Sequence, residues 1–195
     1  MSYNFSEESP LEISLPVKPR ASLQAWESSP FYPLVNQDNQ NKGKIGVHIV
    51  QQVYGQILLQ ELQIINNNGD LINLIDNQKR EVKTCFRADG KEFWFNQIRM
   101  MQRNEWQFLD LVFITPKTLW LYTLTRDQVL ELLCDDSPLI SDGHIGVDNL
   151  EFLQIKVKSN SKTNQFPLLD KYGTCVLSIS SSEIKINAES TDYRN

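Results

Sequence analysis

Apolar residues recur at intervals of four in the first third of the chain: Ile45, Ile49, Val53 and Ile57. This spacing puts them on one side of an α-helix, so we predict a helix over about residues 44–58. The segment just before it, "NQDNQNKGK", has the composition of a loop. Residues 1–40 are polar and interrupted by prolines, and they are predicted to form an N-terminal arm.

Between residues 62 and 88 the apolar residues come in short β-rich runs, "LQIIN", "DLINLI" and "REVKTCF". The turn-forming segments "NNNGD" and "DNQK" separate these runs, which predicts a strand hairpin. Asp76 and Asn77 tolerate positive φ and suit a two-residue turn. Such a turn predicts three cross-strand pairs: Ile75 with Gln78, Ile72 with Glu81, and Asp70 with Lys83.

Two further strands, "FLDLVFI" and "LWLYTLT", are predicted on either side of a turn at Pro116. The segment "RDQVLELLCDD" has the spacing of a helix, with Thr125 placed as its N-cap. "KEFWFNQIRMMQRNEW" begins as a strand and continues with a helix-like pattern, whereas "LEFLQIKVK" alternates as a strand. Together these elements predict a layered α/β (α+β) fold, with residues 41–195 forming a single domain.

The predicted hairpin carries charges that a buried strand does not tolerate without a partner. Glu81 and Lys83 are two apart and project from one face, and the predicted pairing brings Asp70 beside them. Mg²⁺ prefers oxygen ligands, so the two carboxylates and the main-chain carbonyl of Val82 could hold it next to a phosphate. Lys83 could orient a water molecule or offset developing negative charge. This constellation suits phosphodiester hydrolysis, and Asp110 in the next strand could neighbour it.

At these residues the sequence resembles the PD-(D/E)xK phosphodiesterases, the superfamily of type II restriction endonucleases. The stretch "GDLINLIDNQKREVKT" carries the resemblance, which covers about residues 44–126. It implies a central mixed sheet flanked by helices, with Asp70 and Glu81 as metal ligands and Lys83 as the catalytic lysine. The sequence departs from the family pattern at Gly69, where proline is common, and at Gln51 and Gln52, where many members have an acidic residue.

Basic residues are concentrated just after the predicted site, although the whole chain has a formal net charge of -5. That overall charge disfavours a protein that coats nucleic acid by bulk positive charge, but a local basic cleft can still follow a phosphate backbone. Asn and Gln side chains suit contacts with base edges. The predicted DNA-binding residues are Lys79, Arg80, Arg87, Asn96, Gln97, Arg99 and Arg103.

These observations predict a Mg²⁺-dependent, sequence-specific endodeoxyribonuclease of the type II restriction kind. The family resemblance implies a homodimer that cuts double-stranded DNA, because two strands require two active sites. The three cysteines form no CxxC pair, no apolar run reaches about 18 residues, and the first residues lack the pattern of a signal peptide. We therefore expect a cytoplasmic protein without membrane contact.

Two other interpretations remain open. The first, within the nuclease class, is a structure-specific repair or recombination enzyme like a Holliday-junction resolvase, although such an enzyme is expected to be more basic. The second is a non-catalytic binding or assembly protein, such as a DNA-binding module, that keeps the fold without cleavage. At the level of the residues, Glu81 and Lys83 could also form only a surface ion pair on an exposed strand edge. Replacement of Asp70 distinguishes catalysis from binding alone.

Overall fold

The computed structural model describes residues 11–16, 24–65, 70–100, 106–134, 139–142, 152–160 and 166–189. Its longest helix, α2 (Asn39–Ile57), follows the short helix α1 (Tyr32–Val35). The predicted helix is confirmed, but it begins about five residues earlier than expected. Asp38 explains the difference, because its carboxylate accepts a hydrogen bond from the backbone N–H of Asn41 at 2.8 Å and caps the helix.

The larger sheet has its strands in the order β10-β7-β6-β4-β3-β2. β4 and β6 pair in parallel and the other neighbours are antiparallel, so the sheet is mixed. Its strands are β2 (Leu62–Ile64), β3 (Leu71–Asn73), β4 (Lys79–Phe86), β6 (Phe108–Ile114), β7 (Thr118–Thr125) and β10 (Thr174–Ser180). This confirms the predicted mixed α+β class with a central mixed sheet flanked by helices.

Two smaller sheets complete the described fold. One has the order β5-β9-β8 and consists of β5 (Glu92–Arg99), β8 (Ile140–Asp142) and β9 (Phe152–Lys158). The other pairs β1 (Leu11–Pro16) with β11 (Ile184–Glu189) in parallel. The remaining helices are α3 (Arg126–Cys134) and α4 (Pro167–Tyr172). Among the residues that the structure describes, no helix is long and apolar enough to cross a membrane.

Each face of the larger sheet is covered by its own apolar core. On one face α2 packs against β4, β6 and β7, with Val82 and Val112 among the buried residues. On the other face the β5-β9-β8 sheet packs with α3 and α4 around Phe113. Since side chains alternate along β4, consecutive residues of this strand point into different layers. The segment predicted as an arm also contributes core residues: Trp26, Phe31 and Leu34.

The register of the hairpin differs from the prediction. Ile72 pairs with Lys79 instead of Glu81, and Leu71 pairs with Arg80. The turn is longer than two residues because the side chain of Asn73 accepts a hydrogen bond from Ile75 N–H, and that of Asp76 accepts one from Gln78 N–H. The pairing is displaced by an even number of residues, so Glu81 and Lys83 stay on the same face of the hairpin as Ile72.

The helix-like pattern predicted after "KEFWF" is wrong as far as Arg99, because β5 continues as a strand to that residue. Residues 101–105 of the same stretch lie outside the described residues. A shift in the pairing of β5 with β9 between Phe95 and Ile98 breaks the strand alternation there. Because of the extra residue, the buried positions Phe95 and Ile98 are three apart, and this spacing resembles that of a helix.

Candidate active site

Glu81 and Lys83 project from the face of β4 that meets the smaller sheet. The ammonium of Lys83 lies 2.8 Å from the carboxylate of Glu81. Glu81 is 6% exposed, whereas Lys83 is only half-buried. A carboxylate this deeply buried requires a compensating charge, and Lys83 supplies it from the same strand.

Asp70 reaches the same place from the residue just before β3. Its backbone N–H donates to the carbonyl of Arg80 at 2.9 Å. Its carboxylate Oδ2 accepts a hydrogen bond from the backbone N–H of Val82 at 2.7 Å. The side chain therefore occupies the position where a longer β3 would have continued its pairing with β4, and it is held against the strand that carries Glu81 and Lys83.

The pKa of Asp70 records the electrostatics of this cluster. Burial is the largest cause that raises it, and the negative charge of Glu81 raises it further, so that it moves from its ordinary value of 3.8 to about 6. The Val82 hydrogen bond and the positive charges of Lys83 and Arg99 lower the pKa and only partly offset this increase. A cation placed between two neighbouring carboxylates favours the ionised form of both, because it offsets the repulsion between their negative charges.

The donor atoms of this cluster fit Mg²⁺, which prefers oxygen ligands and keeps several waters. Asp70 and Glu81 contribute carboxylate oxygens. The N–H and C=O of a strand residue point to the same side, so the carbonyl of Val82 lies on the same edge of β4 as the N–H that binds Asp70. The described part of the chain contains no group of three or more His, Cys, Asp or Glu residues that could hold a metal ion. The candidate metal site is therefore limited to the carboxylates of Asp70 and Glu81 and the carbonyl of Val82.

Two of the predicted DNA-binding residues, Lys79 and Arg99, lie near this cluster. Lys79 is half-buried on the same face of β4 as Glu81. Arg99 is exposed at the end of β5, and its charge acts on Asp70. Asn96 and Gln97 are exposed on the same strand, and the side-chain Oδ1 of Asn96 accepts a hydrogen bond from the side-chain Nε2 of Gln154.

Arg80 does not belong to this surface, because its side chain is inside the protein. The guanidinium donates to both carboxylate oxygens of Asp110 at 2.6 and 2.9 Å, and also to Tyr54 and Thr123. Arg80 is 5% exposed and Asp110 is 0% exposed. Neither is therefore available to a phosphate or to the metal cluster, and the prediction of DNA contact for Arg80 is replaced by a structural role.

The sequence contains a signal for this buried pair that the local concentration of positive charge does not reveal. If Glu81 and Lys83 share one face of a strand, Arg80 must face the other way. A single aspartate within "FLDLVFI" also requires a buried partner. Burial lowers the pKa of Arg80, but the hydrogen bonds and charge of Asp110 raise it, and the net effect is an increase that keeps the guanidinium protonated.

Two other predicted DNA-binding residues lie elsewhere. Arg87 is four residues beyond Lys83, roughly 13 Å along the strand, and it approaches Asp89 at 3.6 Å. Together with Trp26 and Lys42, it lines a pocket with a volume of about 420 Å³. Arg103 lies outside the described residues.

Comparison of the chain with known protein families, with curated proteins and with solved structures gave no match.

Proposed function

We propose that this chain is a Mg²⁺-dependent endodeoxyribonuclease that hydrolyses phosphodiester bonds in double-stranded DNA. The observation that carries the proposal is the convergence of Asp70, Glu81 and Lys83 at the β3–β4 junction. These are the two carboxylates and the lysine that the PD-(D/E)xK resemblance implies, and they come from two segments: Asp70 precedes β3, whereas Glu81 and Lys83 lie on β4. A simple surface ion pair between Glu81 and Lys83 would not require Asp70 to be held beside it.

Asp70, Glu81 and the Val82 carbonyl are the groups that would hold the metal. When bound, Mg²⁺ supplies charge that stabilises the phosphate and lowers the pKa of a coordinated water. The Val82 N–H fixes the orientation of the Asp70 carboxylate, since it binds one oxygen at 2.7 Å. Glu81 is fixed in turn by Lys83, so both carboxylates are oriented before a substrate arrives.

Lys83 has two roles in this proposal. Its ammonium offsets the charge of the buried Glu81 in the free protein. In the presence of DNA, the same ammonium can donate a hydrogen bond to the attacking water or to a non-bridging phosphate oxygen, which stabilises the negative charge that develops there. Because Lys83 is half-buried, part of its side chain remains accessible to a substrate.

The positive groups near the cluster are consistent with a DNA backbone as the substrate. Arg99 and Lys79 extend from neighbouring strands beside the carboxylates, in a chain whose net charge is -5. Positive charge concentrated at the site attracts a polyanion without making the whole protein basic. We further propose that the enzyme acts as a homodimer of the type II restriction kind, since cleavage of both strands requires two such sites.

The substrate is tested by incubating the purified protein with phage DNA, plasmid DNA and a four-way junction, each with Mg²⁺ and with EDTA. Discrete Mg²⁺-dependent fragments of the phage DNA are the expected result. Cleavage confined to the junction would point instead to a structure-specific nuclease. Binding to DNA without cleavage of any substrate would contradict the catalytic proposal and favour a binding module.

A further inference from the structure

β5 contains a bulge at Asn96 and Gln97. Phe95 pairs with Ile155 and Ile98 pairs with Leu153, so two residues of β5 face the single residue Gln154 of β9. An extra residue in one strand of an antiparallel pair is the definition of a β-bulge. Such bulges are enriched next to active sites, where they change the direction of a side chain.

The bulge changes which side chains of β5 face the solvent. Phe93 and Phe95 are buried, and an unbroken alternation would continue by burying Gln97 and Arg99 and exposing Ile98. The extra residue reverses this order, so that Ile98 is 0% exposed and Arg99 is exposed. Arg99 therefore reaches the surface beside Asp70 only because the bulge is present.

Gln97 occupies the left-handed region of backbone conformation, with φ of 57°. A residue other than glycine rarely adopts this conformation, and where it persists it is often at a functional site. Its exposed side chain has no hydrogen-bond partner among the described residues, whereas the neighbouring Asn96 is bonded to Gln154. Contacts within the described fold do not explain why this position is glutamine instead of glycine.

The strand is held firmly beyond the bulge. The indole Nε1 of Trp106 donates to the carbonyl of Arg99 at 2.7 Å, and Arg126 donates to the carbonyl of Met100 at 2.7 Å. These bonds tie the end of β5 to Trp106, just before β6, and to Arg126, at the start of α3, so β5 is anchored immediately after Gln97.

We propose that Gln97 is a specificity-determining residue whose side-chain amide contacts a base edge next to the phosphate that Arg99 binds. The inference rests on the proposed nuclease function and deepens it. A glutamine amide has one donor and one acceptor side by side, the arrangement that matches the N6 and N7 atoms of adenine in the major groove. The left-handed backbone directs this amide outward from a rigid strand.

The test uses Gln97→Gly, because glycine adopts positive φ without strain and has no amide to offer DNA. The matched control is Leu59→Gly. Leu59 also has a positive φ, 52°, and is 84% exposed, but it lies after α2 and outside the proposed site. The measurements are the stability of each protein in denaturant, its rate of Mg²⁺-dependent plasmid cleavage and its affinity for the same plasmid in EDTA.

We expect Gln97→Gly to be at least as stable as the wild type and to cleave roughly 10-fold more slowly or worse. Leu59→Gly should be equally stable or more stable, with unchanged cleavage. Wild-type cleavage by Gln97→Gly, or a joint loss of stability and cleavage, would overturn the inference and leave the proposed function intact. If the wild type binds plasmid without cutting it, the proposed function fails, and the affinity of Gln97→Gly then decides the DNA contact. A wild type that neither cuts nor binds overturns both.

Discussion

At the scale of single residues, the Asp70 carboxyl group is the most informative titratable group of the site. Its pKa of about 6 in the folded protein exceeds the ordinary value of 3.8, so folding favours its protonated form. The stability that this group contributes is therefore fully present below about pH 4 and is lost as the pH rises through 6. Above that pH the Asp70 carboxylate is negatively charged while buried beside Glu81, which disfavours the folded state.

Asp70→Asn should therefore stabilise the metal-free protein at pH 8, because asparagine stays neutral and can still accept the Val82 hydrogen bond. We expect the free energy of unfolding to rise by about 2 kcal/mol at pH 8, and the difference to disappear near pH 4. Denaturant titrations across this pH range measure it. Asp127→Asn, at an exposed position of α3, serves as the control and should show no comparable effect.

The same variant tests whether Asp70 binds the metal, without any measurement of cleavage. Mg²⁺ that binds only the folded state should raise the wild-type melting temperature at pH 8 and leave that of Asp70→Asn unchanged. An equal increase in both proteins would contradict the assignment of Asp70 as a metal ligand.

At the scale of secondary-structure elements, the position of the site depends on how closely α2 packs against β4. Gly46 lies in the helix directly over Thr84, one residue after Lys83. A Cβ atom added at Gly46 would lie 1.6 Å from Thr84 Oγ1 and 3.0 Å from its Cβ. The absence of a side chain at Gly46 thus allows the close approach that keeps β4 in place.

Gly46→Ala should lower the free energy of unfolding by about 1–3 kcal/mol, because the helix must move away from β4. Gly43→Ala and Gly55→Ala are matched controls in the same helix, since a Cβ at either position meets nothing within 4 Å. Each control should gain up to about 1 kcal/mol from the better helix propensity of alanine. Adding Thr84→Ala to Gly46→Ala should restore much of the loss, and thermal unfolding of the full set measures these differences.

A loss of stability in all three glycine variants would mean that alanine destabilises α2 at any of these positions, and it would contradict the close contact between Gly46 and Thr84. A loss confined to Gly46→Ala is the specific result expected from the packing of α2 on β4.

The element scale also shows why the hairpin register was predicted incorrectly. Asp76 and Asn77 suit a two-residue turn as well as a longer one, and composition does not distinguish the two. The choice is made by the hydrogen bonds that Asn73 and Asp76 form with the turn backbone. The face of Glu81 and Lys83 was nevertheless predicted correctly, because strand alternation does not depend on the length of the turn.

At the scale of the whole molecule, local periodicity predicted α2, the mixed fold class and the strands of the larger sheet except β10, which the sequence left ambiguous. It did not predict which distant elements meet. The parallel pairing of β4 with β6 and the antiparallel pairing of β5 with β9 join segments far apart in the chain. The Arg80–Asp110 pair follows from the first of these contacts, and the exposure of Arg99 follows from the bulge in the second. Sequence patterns within one segment indicate that Arg80 and Asp110 are each buried, but they do not show that the two residues meet or that β5 contains a bulge.

The measurement that tests the central claim most directly is the single-turnover rate of Mg²⁺-dependent DNA cleavage by Lys83→Ala, with Lys117→Ala as the control. Lys117 is exposed in the turn between β6 and β7, so its loss removes the same charge away from the site. We predict that Lys83→Ala is folded but cleaves at least about 100-fold more slowly, and that Lys117→Ala cleaves like the wild type. A folded Lys83→Ala variant with wild-type activity would contradict the assignment of Asp70, Glu81 and Lys83 as the active site.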